Sequence, residues 1–205
     1  MTWLAILLVL AQVFWQSKPP AEWNDIELAR FLSDSPWAQM AAPADKSASV
    51  PPVQVYLATA EPVLKAVAER SRRAALRRPP NPNTEAPLRE EFEAWFSDNR
   101  VGHIIVAARV GNTSTKNSSA FTSESEMRRM QQDCTLDLGH VKVKLKSYFP
   151  PTSSDPYLYL AFPRGPVSAA DKSIAFDIYL PGVPGPFRTV HFTTKDMLLN
   201  GKLEM

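Results

Sequence analysis

The sequence predicts an α+β domain in which a helix-rich N-terminal half packs on a mainly antiparallel sheet of about five or six strands. Three observations lead there. Apolar residues recur at helical spacing in three segments between residues 24 and 96. From residue 141 onward they alternate with polar residues at period two. The links between these later runs are short and contain Pro or Gly, which suits antiparallel neighbours better than helix crossovers.

The first helix opens at Asn24, with Glu27 completing a capping box and Trp23 placed to staple onto Leu28. Ile26, Leu28, Phe31 and Leu32 give it an apolar side, Pro36 ends it, and Ser35-Pro36-Trp37-Ala38 makes a turn. A polar, alanine-rich link leads to a strand at Val53–Leu57. Pro62 suits the first turn of a second helix, where a missing N–H does little harm. Its stripe is Leu64, Val67, Ala68, Ser71 and Ala75, and prolines 79, 80 and 82 stop it. A third helix carries Leu88, Phe92, Trp95 and Phe96.

Val101–Val110 reads as a well-buried strand, and residues 111–119 as a polar loop. A short helix starts at Ser123, capped reciprocally with Glu126, and buries Met127, Met130 and Cys134. Val141, Val143 and Leu145 then alternate with Lys142, Lys144 and Lys146 along one strand. Tyr157–Phe162, Ile174–Leu180 and Arg188–Thr194 supply three more. Met197, Leu198, Leu199 and Leu203 are too apolar for a free tail, so the C-terminal stretch is expected to dock on the domain.

Residues 3–15 read WLAILLVLAQVFW, an apolar run shorter than the roughly 20 residues a membrane-crossing helix needs. That length matches the apolar core of a secretory signal, and Val9-Leu10-Ala11 supplies the cleavage positions. The expected organisation is a signal peptide over 1–11 and a single α+β domain over 12–205. The protein is then periplasmic or extracellular, with no stable membrane span once the signal is removed.

Composition narrows the function further. With 44% hydrophobic and 21% charged residues, the chain can bury a sizeable core. A formal charge of +2 gives no strongly basic domain or stripe, so no nucleic-acid partner is expected. The 19 prolines punctuate the chain into stiff connections. One cysteine, Cys134, excludes an internal disulfide and a C-x-x-C site.

No nucleophile stands out. Cys134 continues the Met127–Met130 stripe, which makes it a structural thiol, and no G-x-S-x-G elbow or S-x-x-K motif occurs. His103, His140 and His191 are far apart and fit no metal-ligand spacing. Trp23, Trp37 and Trp95 fit core packing better than a binding groove. Neither a catalytic residue nor a cofactor or metal is expected.

Two positive clusters remain. Six Lys or Arg stand against two Glu between residues 61 and 78, and Arg70, Arg73 and Arg77 stack along one helix flank. Lys142, Lys144 and Lys146 form a second cluster on a strand face. If the two converge, these six residues could hold an anionic glycan, a lipid headgroup or an acidic partner. The plainer alternative is a solvated face.

Several stretches resemble a family of exported bacterial proteins of unknown function. They are Trp23 with Glu27, Ser35-Pro36-Trp37-Ala38, Phe162-Pro163-Arg164, Phe192 with Lys195-Asp196-Met197, and Gly201-Lys202-Leu203-Glu204. Their order and spacing carry the likeness, which implies export and one co-folding domain but brings no activity, cofactor or site residue.

The leading expectation is therefore an exported, non-enzymatic cell-envelope protein acting on an unidentified ligand or protein partner. An envelope hydrolase built from scattered Asp, Glu, His or Ser, and a structural subunit of an envelope assembly, are the alternatives. Mass spectrometry of the protein purified from its native cells should find a mature chain beginning at Gln12. An intact Met1 would remove the signal-peptide premise.

Overall fold

The computed structural model describes residues 14–45, 49–77, 86–111, 120–121, 123–152, 155–165, 167–168, 170–199 and 201–205, with backbone alone at 86–90. The expected signal peptide at 1–11, the helix-stopping prolines 79, 80 and 82, the side chain of Leu88 and most of the 111–119 loop lie outside these residues.

The expected helix-rich half on one sheet is overturned. Among the described residues the protein is mostly sheet, with eleven strands in three antiparallel sheets and five α-helices. The larger sheet joins β1 (Ala38–Ala41), β2 (Val53–Leu57), β3 (His103–Arg109), β7 (Tyr157–Pro163) and β6 (Ser147–Phe149) in the order β1-β2-β3-β7-β6. A second sheet joins β5 (Lys142–Lys144), β4 (Thr135–Asp137), β8 (Ser173–Tyr179) and β9 (Phe187–Thr193) in the order β5-β4-β8-β9. β10 (Leu198–Leu199) and β11 (Lys202–Leu203) form a small ribbon.

Two local causes explain the difference. β1 lacks β-branched residues, so nothing in Ala-Gln-Met-Ala marks a strand. It forms because β2 offers it a ladder, Ala38 opposite Tyr56 through Ala41 opposite Val53. The Lys/Val alternation at 141–146 is the second cause, because it is not one strand. β5 ends at Lys144 and the chain crosses to the other sheet. The Leu145 amide still donates to the Cys134 carbonyl beside β4, whereas the Lys146 amide already donates to the Ala161 carbonyl on β7.

The two large sheets pack face to face. Phe162 on β7 meets Phe176 on β8 at 5.4 Å between ring centroids, and Phe176 meets Phe192 on β9 at 6.0 Å. Ile104, Leu160, Ile174 and Val190 fill the space around them, all buried. β3 is the centre of the larger sheet, and Ile104 to Ala108 are fully buried on both of its faces. At one side the sheets touch edge to edge, through a Pro43–Arg188 bridge, the Ala44 amide on the Phe187 carbonyl and Gln39 Nε2 on the His191 carbonyl. That contact covers edge groups otherwise open to pairing with another chain.

Helices cover the outer face of the larger sheet. α1 (Phe14–Ser17) and α2 (Asp25–Phe31) meet through an aromatic cluster: Phe14 lies 5.2 Å from Trp23, Trp15 5.8 Å from Phe31, and Phe31 5.9 Å from Trp37. The Asn24–Glu27 capping box is present in both directions, and Trp23 and Leu28 are buried as the staple requires. Ile26, expected inside, is 80% exposed.

α3 (Glu61–Arg77) is rotated from its expected face. Val63, Ala66 and Glu69 are buried, whereas Ala68, Ser71 and Ala75 are exposed. α4 (Ala86–Asn99) lays Phe92 on Tyr159 at 4.1 Å and Trp95 against Phe149 at 5.1 Å. α5 (Glu124–Asp133) buries Met130. Its expected capping box is absent: Ser123 Oγ contacts Ser125 Oγ, and the Glu126 carboxylate accepts from the Tyr179 hydroxyl. The C-terminal stretch docks, with Met197 and Met205 buried and Trp37 Nε1 donating to the Glu204 carbonyl at 2.7 Å, although Leu198 is 44% exposed.

Glu69 can be buried because Arg72 and Arg73 both bond its carboxylate, at 2.7 and 2.6 Å, and Arg73 goes on to Asp25 and the Trp23 carbonyl. These bonds hold the Glu69 carboxyl at about 2, below the usual 4.5. The stability they give is therefore complete above pH 4.5 and lost as pH falls towards 2. Glu69→Gln should lower the melting temperature at pH 7 and flatten the loss of stability between pH 4.5 and 2. Melting curves that match the parent at both ends of that range would count against it.

Candidate anion-binding groove

The six basic residues singled out in the sequence separate into different roles. Arg73 is held by Glu69, Asp25 and two backbone carbonyls, and Arg77 by Asp25 at 2.5 Å. Both arginines pin α3 to the start of α2, and both hold the Asp25 carboxyl below its usual value. Lys142 pairs with Asp137 at 3.2 Å and Asp177 at 3.6 Å, and Lys144 donates to the Gln132 carbonyl. Lys146 is exposed and belongs to the other side of the crossing, next to the larger sheet. The lysine cluster is thus divided between two sheets and does not join the arginines.

Arg70 differs from its neighbours. It is half-buried and its Nη1 donates to the Tyr157 hydroxyl at 2.9 Å, with the guanidinium 5.2 Å over the Tyr157 ring. Tyr157 passes its own proton to Gln54 Oε1 at 2.9 Å, and Gln54 Nε2 donates to the Leu32 carbonyl. The relay fixes Arg70 in place while using one of the five donors of its guanidinium. No ion pair within 4 Å joins Arg70 to a carboxylate among the described residues.

Arg70 opens into a groove of about 1040 Å³. The walls come from α2, α3, the ends of β1, β2, β3 and β7, and the loop between β8 and β9. Apolar residues dominate them, with Leu32, Pro52, Val67, Pro156, Val183 and Pro184 prominent.

Two more arginines line the groove. Arg109, at the end of β3, is exposed. Arg188 is 1% exposed; its Nη1 and Nη2 donate to the Phe187 and Pro184 carbonyls, and its buried Nε finds no acceptor. Burial without a carboxylate draws the Arg188 pKa down. Gly185 allows this packing, since a Cβ there would lie 3.2 Å from Val50 and 3.3 Å from Pro43, at a φ of +54°.

Asp155 is the carboxylate in the lining, and it is already engaged. Its oxygens accept from the Tyr159 hydroxyl at 2.8 Å and the Tyr157 amide at 3.2 Å, and no arginine lies within 4 Å of it among the described residues. The groove therefore presents the guanidinium groups of Arg70 and Arg109, with Arg188 buried in its wall, against one occupied carboxylate. Chemically it can receive an anion, with apolar walls that raise the strength of each charged hydrogen bond.

Sequence reasoning reached Arg70 as part of a flank, but missed Arg109, Arg188, Gln54 and Tyr157. Arg109 and Arg188 sit singly at strand ends, and no local pattern marks them. The remaining candidates behave as expected of packing residues: Trp23 and Trp37 are buried, and Trp95 packs 5.3 Å from the His103 ring. His191 and His140 are exposed. Among the described residues, no group of three or more His, Cys, Asp or Glu is placed to share a metal ion, and no helix is long and apolar enough to cross a membrane.

Compared with protein-family models, curated proteins and solved structures, the chain matches none of them.

Cys134 lies away from the groove. It is buried, its Sγ accepts from the Tyr179 amide at 3.3 Å, and burial pushes the thiol up to about 12. A thiol reagent such as DTNB should leave the folded protein unlabelled at pH 8 and label one thiol per chain in denaturant. Rapid labelling of the folded protein would return Cys134 to the list of reactive groups.

Proposed function

We propose that this protein is an exported, non-enzymatic binding protein of the cell envelope, and that its ligand carries a negative charge seated beside Arg70. The observation that carries the reading is the imbalance in the groove: Arg70, Arg109 and Arg188 line it, and its carboxylate, Asp155, is engaged by Tyr159 and Tyr157. An arginine held by a tyrosine relay, with most of its donors unspent, is preorganised for a carboxylate or phosphate.

Binding rather than catalysis is favoured by the character of the lining. No cysteine or histidine lines the groove among the described residues. The Tyr157 hydroxyl donates to the Gln54 amide oxygen, which is no base, and the Tyr159 hydroxyl is tied to Asp155. Export rests on the apolar segment at residues 3–15 and on the family resemblance. The lysines 142, 144 and 146, first grouped with the arginines, are left out of the site.

Calorimetric titration with inorganic phosphate and with acetate should give saturable binding of at least one anion. Losing one charge-assisted contact amounts to roughly a tenfold weakening. Arg70→Met should therefore bind that anion about tenfold more weakly, and Lys142→Met should bind like the parent. Absence of binding by either anion, or equal binding by Arg70→Met, would overturn the reading.

A further inference from the structure

The groove has an apolar annex. A second pocket of about 300 Å³ lies between α3, α4 and the larger sheet. Leu64 and Val67 wall it on α3, Phe92 and Phe96 on α4, and Tyr56 and Ala58 floor it. Val67 and Tyr159 line both spaces, so the annex and the arginine groove meet along these two side chains. Glu93 is the carboxylate in the annex lining.

A second observation marks the junction. The Tyr56 hydroxyl is buried, 1% exposed as a residue, and has no hydrogen-bond partner among the described residues. It lies close to Arg70 and to the Tyr159 hydroxyl without reaching hydrogen-bond geometry with either. A buried O–H is seldom left unsatisfied in a folded protein, and where one is, a missing ligand atom is a natural partner. Here an acceptor placed beside Arg70 would also be offered the Tyr56 proton.

We infer that the ligand is a single-chain anionic amphiphile, an acyl chain in the annex with its carboxylate at Arg70 and the Tyr56 hydroxyl. This rests on the reading of the arginine groove as an anion site and deepens it by naming the rest of the ligand. Charge and shape adjoin: an apolar pocket on one side, a cation with unspent donors on the other, and Val67 and Tyr159 bordering both. At about 30 Å³ per methylene, near a water's share of liquid volume, the annex holds roughly ten carbons. A bulky polar ligand would fit the groove but leave the annex empty.

The test is a calorimetric comparison of decanoate, kept below its micelle concentration, with acetate and decanol, on the full-length protein. Decanoate should bind at least a hundredfold more tightly than acetate, and more tightly than decanol. Leu64→Trp, which fills the annex, should bring decanoate down to the acetate level while leaving acetate binding intact, which also shows that the variant is folded. Tyr56→Phe should weaken decanoate severalfold.

Decanoate binding no better than acetate, with Arg70 still required for both, would overturn the amphiphile and leave the anion groove standing. Decanoate binding that ignores Arg70→Met would overturn both readings, since the chain would then be held without its head.

Discussion

Everything in this molecule leans on the double burial of β3. Its residues Ile104 to Ala108 are sealed on one side by the opposing sheet and on the other by the helical layer. A strand covered on both faces needs apolar side chains at every position, and small ones where backbones approach closely. Ile-Ile-Val-Ala-Ala meets both demands. β2 and β7 are placed by pairing with it, and through them Tyr56, Tyr157 and Tyr159 come to face the helices. The groove and its annex are the incompletely filled margin of that interface.

The charged residues of α3 show how a site can be separated from a scaffold on one helix. Glu69 is satisfied by Arg72 and Arg73, and Arg73 spends its remaining donors on Asp25 and nearby carbonyls, so this ionic part of the helix is used up in holding the fold. One residue away, Arg70 is steered by Tyr157 and faces open space. Adjacent arginines thus do different work because their carboxylate neighbours differ, and charge counting along the helix treats them alike.

That contrast also sets the limit of what the sequence makes legible. Elements with their own local signature were readable: the capping box at Asn24, the alternation in β8 and β9, the apolar run of β3. Elements that exist only through a partner were not. β1 is a strand because β2 is beside it, and the Lys142–Lys146 alternation is cut by a crossing that only the three-dimensional path reveals. The rotation of α3 follows the same logic, since Ala68 and Ser71 look like core until Glu69 is seen neutralised. For the groove, Arg70 was visible as one of a flank, whereas Arg109, Arg188 and the Tyr157–Gln54 relay are assembled from strands far apart in the chain.

The bond from Trp37 Nε1 to the Glu204 carbonyl spans 167 residues, and Gln39 reaches His191 across 152. Contacts of such separation in sequence are slow to form, because a long loop must close before they reward it. The first strand therefore stays without its neighbour on the second sheet until residues near 190 and 204 have been synthesised. During translation the chain remains open, its β1 edge exposed, and the sandwich closes late and as a whole. Until those residues arrive the β1 edge is open to pairing with other chains, so the interval before closure is when aggregation threatens most.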